Sequence, residues 1–160
     1  MAVLAILVGI GVPAFSDMIR ANQIAAESSN FSTALTLARS EAVKRGIRVS
    51  LCPTGNAMAT DCDDDGDWSK GWLVFADDFG SAGEYDPSDF TLQVWQPPAN
   101  GVEITSEDED TVAVTFDRTG RAEFEETFQV TKAGCKGDQS RVINVGLAGR
   151  VSLARTECPE

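Results

Sequence analysis

The chain contains no histidine. That removes at once the commonest general base and the commonest imidazole metal ligand. No GxSxG, P-loop or Rossmann fingerprint is present either, so no nucleophile, base and acid can be assembled into a catalytic set. The expectation is a protein that is not an enzyme, with no cofactor and no small-molecule substrate. There is no CxxC, which leaves a zinc site or a thioredoxin-like redox motif without support. Internal repeats and low-complexity linkers are missing too. The longest uncharged apolar run, Met1 to Phe15, falls short of the ~20 residues that a membrane-spanning helix needs. It also lacks the basic flank and small-residue cleavage site of a secretory signal.

What is present is ordinary in amount and uneven in distribution. The 160 residues are 42% hydrophobic and 24% charged, enough for one globular domain and a helix. Thirteen basic against 25 acidic residues leave a net charge of −12, which argues against the whole surface serving as a nucleic-acid platform. After Thr131, however, Lys132, Lys136, Arg141, Arg150 and Arg155 face only Asp138, Glu157 and Glu160, so the C-terminal end is locally basic.

Four cysteines, Cys52, Cys62, Cys135 and Cys158, allow three disulfide connectivities. The pairing Cys52–Cys62 with Cys135–Cys158 is favoured because each bridge closes a short local loop; four buried free thiols are the alternative. Each bridge would contribute about 2–4 kcal/mol by limiting the unfolded chain. Disulfides imply an oxidising compartment, the periplasm or the cell exterior.

From Ser16 to Gly46 polar residues join the apolar ones at helical spacing. Ile24, Phe31, Leu35, Ala38 and Ala42 form one stripe along a 3.6-residue period. Lys44 and Arg45 suit the last turn, and Gly46 suits the position after it. Pro13 inside the first run points to a kink. Beyond Ile47 the pattern alternates, first in Arg48–Cys52, and strands are expected at 71–76, 90–96, 112–117, 124–131, 141–145 and 150–154. Asp86-Pro87, Pro97-Pro98, Asn100-Gly101, Thr119-Gly120 and Lys136-Gly137 mark turns between them. One long helix followed by many short strands reads as α+β, with the helix covering one face of antiparallel sheet.

Two acidic stretches could hold a hard cation. Asp61, Asp63 and Asp65 alternate with Gly66 in the manner of a DxDxDG calcium loop. The match fails at its twelfth position, which is Trp72, and a solvated acidic loop is the plainer reading. Asp77, Asp78, Glu84, Asp86 and Asp89 read likewise as a surface loop, as does Ser106–Asp110. Trp68, Trp72, Trp95, Phe75, Phe79 and Phe90 are expected in the core.

The string from Ala5 to Gly46, AILVGIGVPAFSDMIRANQIAAESSNFSTALTLARSEAVKRG, resembles the N-terminal helix of type IV pilin-like proteins. More narrowly it resembles the GspH/FimT group of minor pilins and pseudopilins. The Gly11–Phe15 turn is shared by many pilins, whereas LARSEAVKRG at Leu37–Gly46 is far more specific to this group. Val49–Pro53, Trp68–Asp77 and the closing INVGLAGRVSLARTEC are similar as well.

That resemblance implies a pilin-like α+β fold, a long N-terminal α-helix packed on an antiparallel β-sheet domain. Residues 1–46 would form the helix, with 1–15 a partial transmembrane segment and 16–46 amphipathic; 47–160 would be the globular periplasmic β domain. It implies a structural subunit of a type IV pilus near its tip, or alternatively a type II secretion pseudopilin, methylated like other pilins. Partners would be other pilins and minor pilins, the inner-membrane assembly platform, and the membrane itself through a single-pass helix. Leu4, Leu7, Ile10, Pro13 and Phe15 would belong to the helix core of the fibre. In FimT-like proteins a C-terminal GRxR motif is associated with DNA binding during natural transformation. Gly149-Arg150-Val151-Ser152 keeps only the first arginine, so Arg150, Arg155 and Lys136 are the candidate DNA contacts. The family's basic leader, cleavage site and early glutamate do not appear before Ala5. The expectation is therefore a start assigned too late or a trimmed chain, with the first half of the transmembrane segment upstream.

Overall fold

The computed structural model describes residues 2–55, 61–98, 101–108 and 111–159, with side chains from Phe15 onward. Helix α1 runs Ala2–Arg45, continuous through Pro13. It stops where Gly46 turns to φ +69° and donates its N–H to the Ala42 carbonyl at 2.9 Å, a left-handed close that glycine adopts without penalty. Glu41 pairs with both Lys44 and Arg45 in that last turn. The side chains of Leu4, Leu7, Ile10 and Pro13 lie outside the described residues.

Eight strands follow: β1 Val49–Pro53, β2 Trp72–Ala76, β3 Phe90–Trp95, β4 Val102–Ser106, β5 Val114–Phe116, β6 Glu126–Lys132, β7 Ser140–Val145 and β8 Val151–Thr156. They form two antiparallel four-stranded sheets, ordered β3-β2-β1-β5 and β4-β6-β7-β8. The expected fold, a long helix on antiparallel sheet, is the one observed, with the strands divided between two sheets. Strand β4 was not expected at all, because its short alternation runs straight into the acidic stretch and Ser106 belongs to it.

The stripe Ile24, Phe31, Leu35, Ala38 and Ala42 is fully buried. It packs on Val49, Leu51, Trp72 and Val74 of the first sheet and on Phe128, Val130, Ile143 and Val145 of the second. Phe31 sits at the centre. Its ring meets Trp68, Trp72 and Phe128 edge-on at 5.3, 5.1 and 4.9 Å, so one side chain touches both sheets and the 3-10 turn Trp68–Lys70. Small Ala34, Ala38 and Ala42 let the rest of the helix come close.

Strands β1 and β2 are buried on both faces. Their outward side chains Cys52, Leu73 and Phe75 form a second small core beneath Cys62, Tyr85 and Ala113. The Trp68 indole donates to the Thr111 carbonyl at 3.3 Å, while the buried indole N–H of Trp72 has no acceptor among the described residues. Of the aromatics expected inside, Trp95 is half-buried and stacked on Trp72, whereas Phe79 and Phe90 are exposed. Phe90 opens the edge strand β3, where among the described residues no strand lies beyond it.

Phe31→Ala should cost about 3–5 kcal/mol in urea unfolding, because three aromatic partners lose one filler. Phe90→Ala, at an exposed position, should stay within about 0.5 kcal/mol. Equal costs would show that the centre of the core lies elsewhere.

Candidate assembly surface

Within the segment Leu37–Gly46 one side chain reaches back to the loops of the sheets. Arg39 on α1 donates from Nε to the Gly120 carbonyl at 3.0 Å and from Nη2 to the Ala148 carbonyl at 3.1 Å. Both acceptors lie in three-residue loops of the same construction. In one, Asp117 N–H donates to Arg121 O and Gly120 N–H to Asp117 O. In the other, Gly146 N–H donates to Arg150 O and Gly149 N–H to Gly146 O. This is a type I turn closed by a left-handed residue, and Gly120 and Gly149 supply it at φ +78° and +72°. The two loops pack backbone to backbone: a Cβ on Gly149 would overlap the Gly120 carbonyl oxygen. Asp117 stiffens the first loop by accepting from Thr119 Oγ1, Thr119 N and Arg121 N, and those bonds hold its carboxyl below the usual value.

Cys52 is bonded to Cys62 and Cys135 to Cys158, with Cα separations of 5.6 and 5.9 Å. The first bridge ties the acidic loop onto β1. The second ties the C-terminal end to the β6–β7 turn, and that turn is held to the helix. Lys136 Nζ reaches Asp17 Oδ2 at 3.3 Å, Gln139 donates to the Asp17 carbonyl at 3.4 Å, and Lys132 donates to Gln23 at 2.8 Å. The Lys136 hydrogen bond, helped by Arg20, lowers the Asp17 pKa.

Most of the described carboxylates of the acidic stretches are exposed, while three, Asp63, Asp77 and Asp89, are buried on protein donors. Asp63 is buried, accepts from Lys70 Nζ at 2.9 Å and from the Asp67 N–H, and Asp67 caps the 3-10 turn through Ser69 N. Asp77 is fully buried among Arg48, Ser50 and the Gly83 N–H, at 3.2, 2.7 and 2.8 Å. Asp89 collects the N–H groups of Asp78, Phe79 and Asp86. With these carboxylates turned onto protein donors, Asp61, Asp63 and Asp65 do not converge; among the described residues no group of three or more acidic or sulfur ligands surrounds a common point.

Of the candidate DNA contacts, Arg150 is exposed at the start of β8. Lys136 is engaged by Asp17, and Arg155 lies 3.7 Å from Asp138, both well exposed. Arg141 donates to the carbonyls of Asp138, Gln139 and Ser140, and burial beside Arg155 lowers its pKa. On the helix, Phe15, Met18 and Ile19 are exposed just where α1 leaves the domain. Among the described residues no helix is long and apolar enough to cross a membrane.

An open groove of about 730 Å³ lies on the far side, lined among others by Glu84, Val112, Glu123, Phe124, Glu126 and Leu147. Glu126 accepts from Thr111 Oγ1 at 2.9 Å and Ser106 Oγ at 3.4 Å. Burial raises its pKa above the ordinary 4.5, against the hydrogen bond from Thr111.

One long helix laid over antiparallel sheets and tied by two disulfides is a pilin-like fold. The chain belongs to the GspH family, described as type II transport protein GspH, whose match covers residues 27–149. That family consists of structural subunits, not enzymes. Among solved structures, the type IV minor pilin FimU of Pseudomonas aeruginosa strain PAO1 superposes with a TM-score of 0.65. The two are 23% identical, over 83% of this chain and 89% of that one. A second crystal form of FimU gives 0.61 at 23% identity, over 81% and 90%. The minor pseudopilin EpsH from the type 2 secretion system of Vibrio cholerae gives 0.53 at 14% identity, over 83% and 97%. No curated protein matches significantly.

Two measurements test this geometry. Gly137 sits at φ +56° with nothing near a would-be Cβ, so Gly137→Ala should cost only backbone strain, about 1–2 kcal/mol. Gly149→Ala should cost clearly more in the same urea titration, because the Gly120 carbonyl must also move. For Glu126, a raised folded pKa means that its stabilising contribution is full below pH 4.5 and fades as pH rises through the folded value. Glu126→Gln should therefore be more stable than the parent at neutral pH and lose that part of the pH slope. A parallel pair of stability–pH curves would refute the assignment.

Proposed function

We propose that this protein is a minor pilin-like structural subunit that enters a type IV pilus through its helix. Its proposed setting is the bacterial inner membrane, with residues 47–160 facing the periplasm before incorporation. The observation that carries the reading is the exposed apolar set Phe15, Met18 and Ile19, 60%, 53% and 42% exposed, on the part of α1 that emerges from the domain. Among the described residues these side chains are left largely uncovered, and a bundle of like helices would supply the cover. Membrane anchoring through residues 1–15 and whatever precedes them is part of the same proposal. Two disulfides in a small domain support an oxidising setting for it. Other pilins and minor pilins are the proposed partners, together with the assembly platform.

A role as a type II secretion pseudopilin is the second reading, supported by the description of the matching family and the likeness to EpsH. The DNA-binding reading draws little from the geometry. Two of its three basic residues have carboxylates nearby, and from Lys132 to Glu160 the sequence has no aromatic to stack on bases.

Replacing both Phe15 and Met18 by Asp should leave the domain's unfolding midpoint unchanged and remove the protein from the sheared pilus fraction of a complemented deletion strain. If secretion of exported enzymes fails while pili persist, the pseudopilin reading replaces the pilus one. If the double variant is still recovered in fibres, the helix is not the assembly element.

A further inference from the structure

Strand β8 closes one side of the second sheet, and among the described residues no strand lies beyond it. Its ladder can be read from the loop before it. Gly146 N–H donates to Arg150 O at 3.0 Å, and Val145 opposes Val151. Antiparallel alternation then turns the backbone groups of Ser152, Ala154 and Thr156 toward β7 and those of Val151, Leu153 and Arg155 outward. The other sheet shields its edges. Across β5, Glu123 N–H donates to Thr115 O and Phe116 bridges Ala122. Strand β3 joins through a register shift and ends at Pro97-Pro98. Strand β8 has neither proline nor bulge.

Beside that edge runs a groove of about 380 Å³ between α1 and β8, walled by Ser29, Thr33, Thr36, Leu37, Ser40 and Leu153. Its polar wall is already satisfied. Thr33 and Thr36 donate to the carbonyls of Ser29 and Ser32 at 2.7 and 2.8 Å, and Ser40 donates to Leu37 at 2.9 Å. What faces the groove is small and uncharged, with Leu37 and the exposed Leu153 giving it an apolar floor. A strand added ~4.8 Å beyond β8 would run along this groove and place every second side chain in it. From Ser140 to Thr156 the chain carries Arg141, Arg150 and Arg155 and no carboxylate, in a protein of net charge −12.

We propose that the edge of β8 and the groove beside it take up an extended segment of a partner protein as a fifth strand of the second sheet. The chemistry of that segment follows from the walls: small apolar residues at alternate positions toward α1, and Asp or Glu at the flanks opposite Arg150 and opposite Arg155, the latter shared with Asp138 at 3.7 Å. A nucleic acid offers no N–H and C=O ladder to match the strand edge. The inference stands apart from the filament reading, since edge and groove exist in the isolated chain.

The test uses the whole chain with two synthetic peptides, DVTVSVDE and its basic counterpart KVTVSVKK, followed by calorimetry and amide hydrogen exchange. The acidic peptide should bind and slow exchange at Val151, Leu153 and Arg155, and the basic one should not. Leu153→Pro removes an outward N–H without breaking the β7 ladder. Thr33→Trp, at an exposed helix position, fills the groove and keeps the test sound if the proline variant misfolds. Each should weaken binding about tenfold or more. The proposal fails if neither peptide binds, if slowing appears at Phe90–Trp95 instead, or if Thr33→Trp leaves affinity unchanged. It also fails if single-stranded oligothymidylate displaces the acidic peptide, which would mark a site for charge alone.

Discussion

The contact on which the structure turns is Phe31 against Trp68, Trp72 and Phe128. Among the described residues the two sheets share no ladder, and between the segment after β5 and the β7–β8 loop runs the backbone hydrogen bond from Ala122 N–H to Leu147 O. What holds them as one body is apolar burial beneath α1, and Phe31 is where that burial meets both. The helix is thereby more than a stalk. Without its stripe each sheet would expose one apolar face, and neither sheet alone approaches a stable domain.

A second, polar constraint fixes the angle at which the helix lies. Arg39 donates to two carbonyls from loops that are far apart in the chain and adjacent in space. Those loops reach each other only because Gly149 brings no Cβ to the Gly120 oxygen. A guanidinium suits the task because its donors form a rigid fork that reaches two acceptors at once. Rotation of the domain about α1 would break both hydrogen bonds together. The glycine of the Gly149-Arg150 pair thus answers to packing, and only the arginine beside it is free to meet something else.

Much of the fold could be read in advance because periodicity reports direction. Ile24, Phe31, Leu35, Ala38 and Ala42 recur at one angle around a helix, and all five are buried. Residue type alone reports no direction: Phe75 is buried on β2, while Phe79 in the loop after it and Phe90 at the start of the edge strand are exposed. Asp77 and Asp78 are chemically identical neighbours. The pleat turns one under Arg48 and Ser50 and leaves the other in solvent, and no local pattern distinguished them. Strand β4 was hidden by the carboxylates that follow it. The Arg39 bridge spans 81 and 109 residues of sequence, a distance at which a single chain offers no signal. The candidate surfaces were harder still, since an edge is defined by what does not lie beyond it.

The anchorage at Asp17 has a mechanical meaning. Near the point where α1 leaves the domain, Asp17 grips Lys136 and Gln139, and Lys136 follows Cys135, itself bonded to Cys158. Tension applied along the helix would enter the domain through those side chains and pass at once into a covalent loop that joins the β6–β7 turn to the chain's far end. Traction would then be shared between the base of one hairpin and the tail of the next strand, so the sheet is pulled as a unit rather than unzipped from one edge.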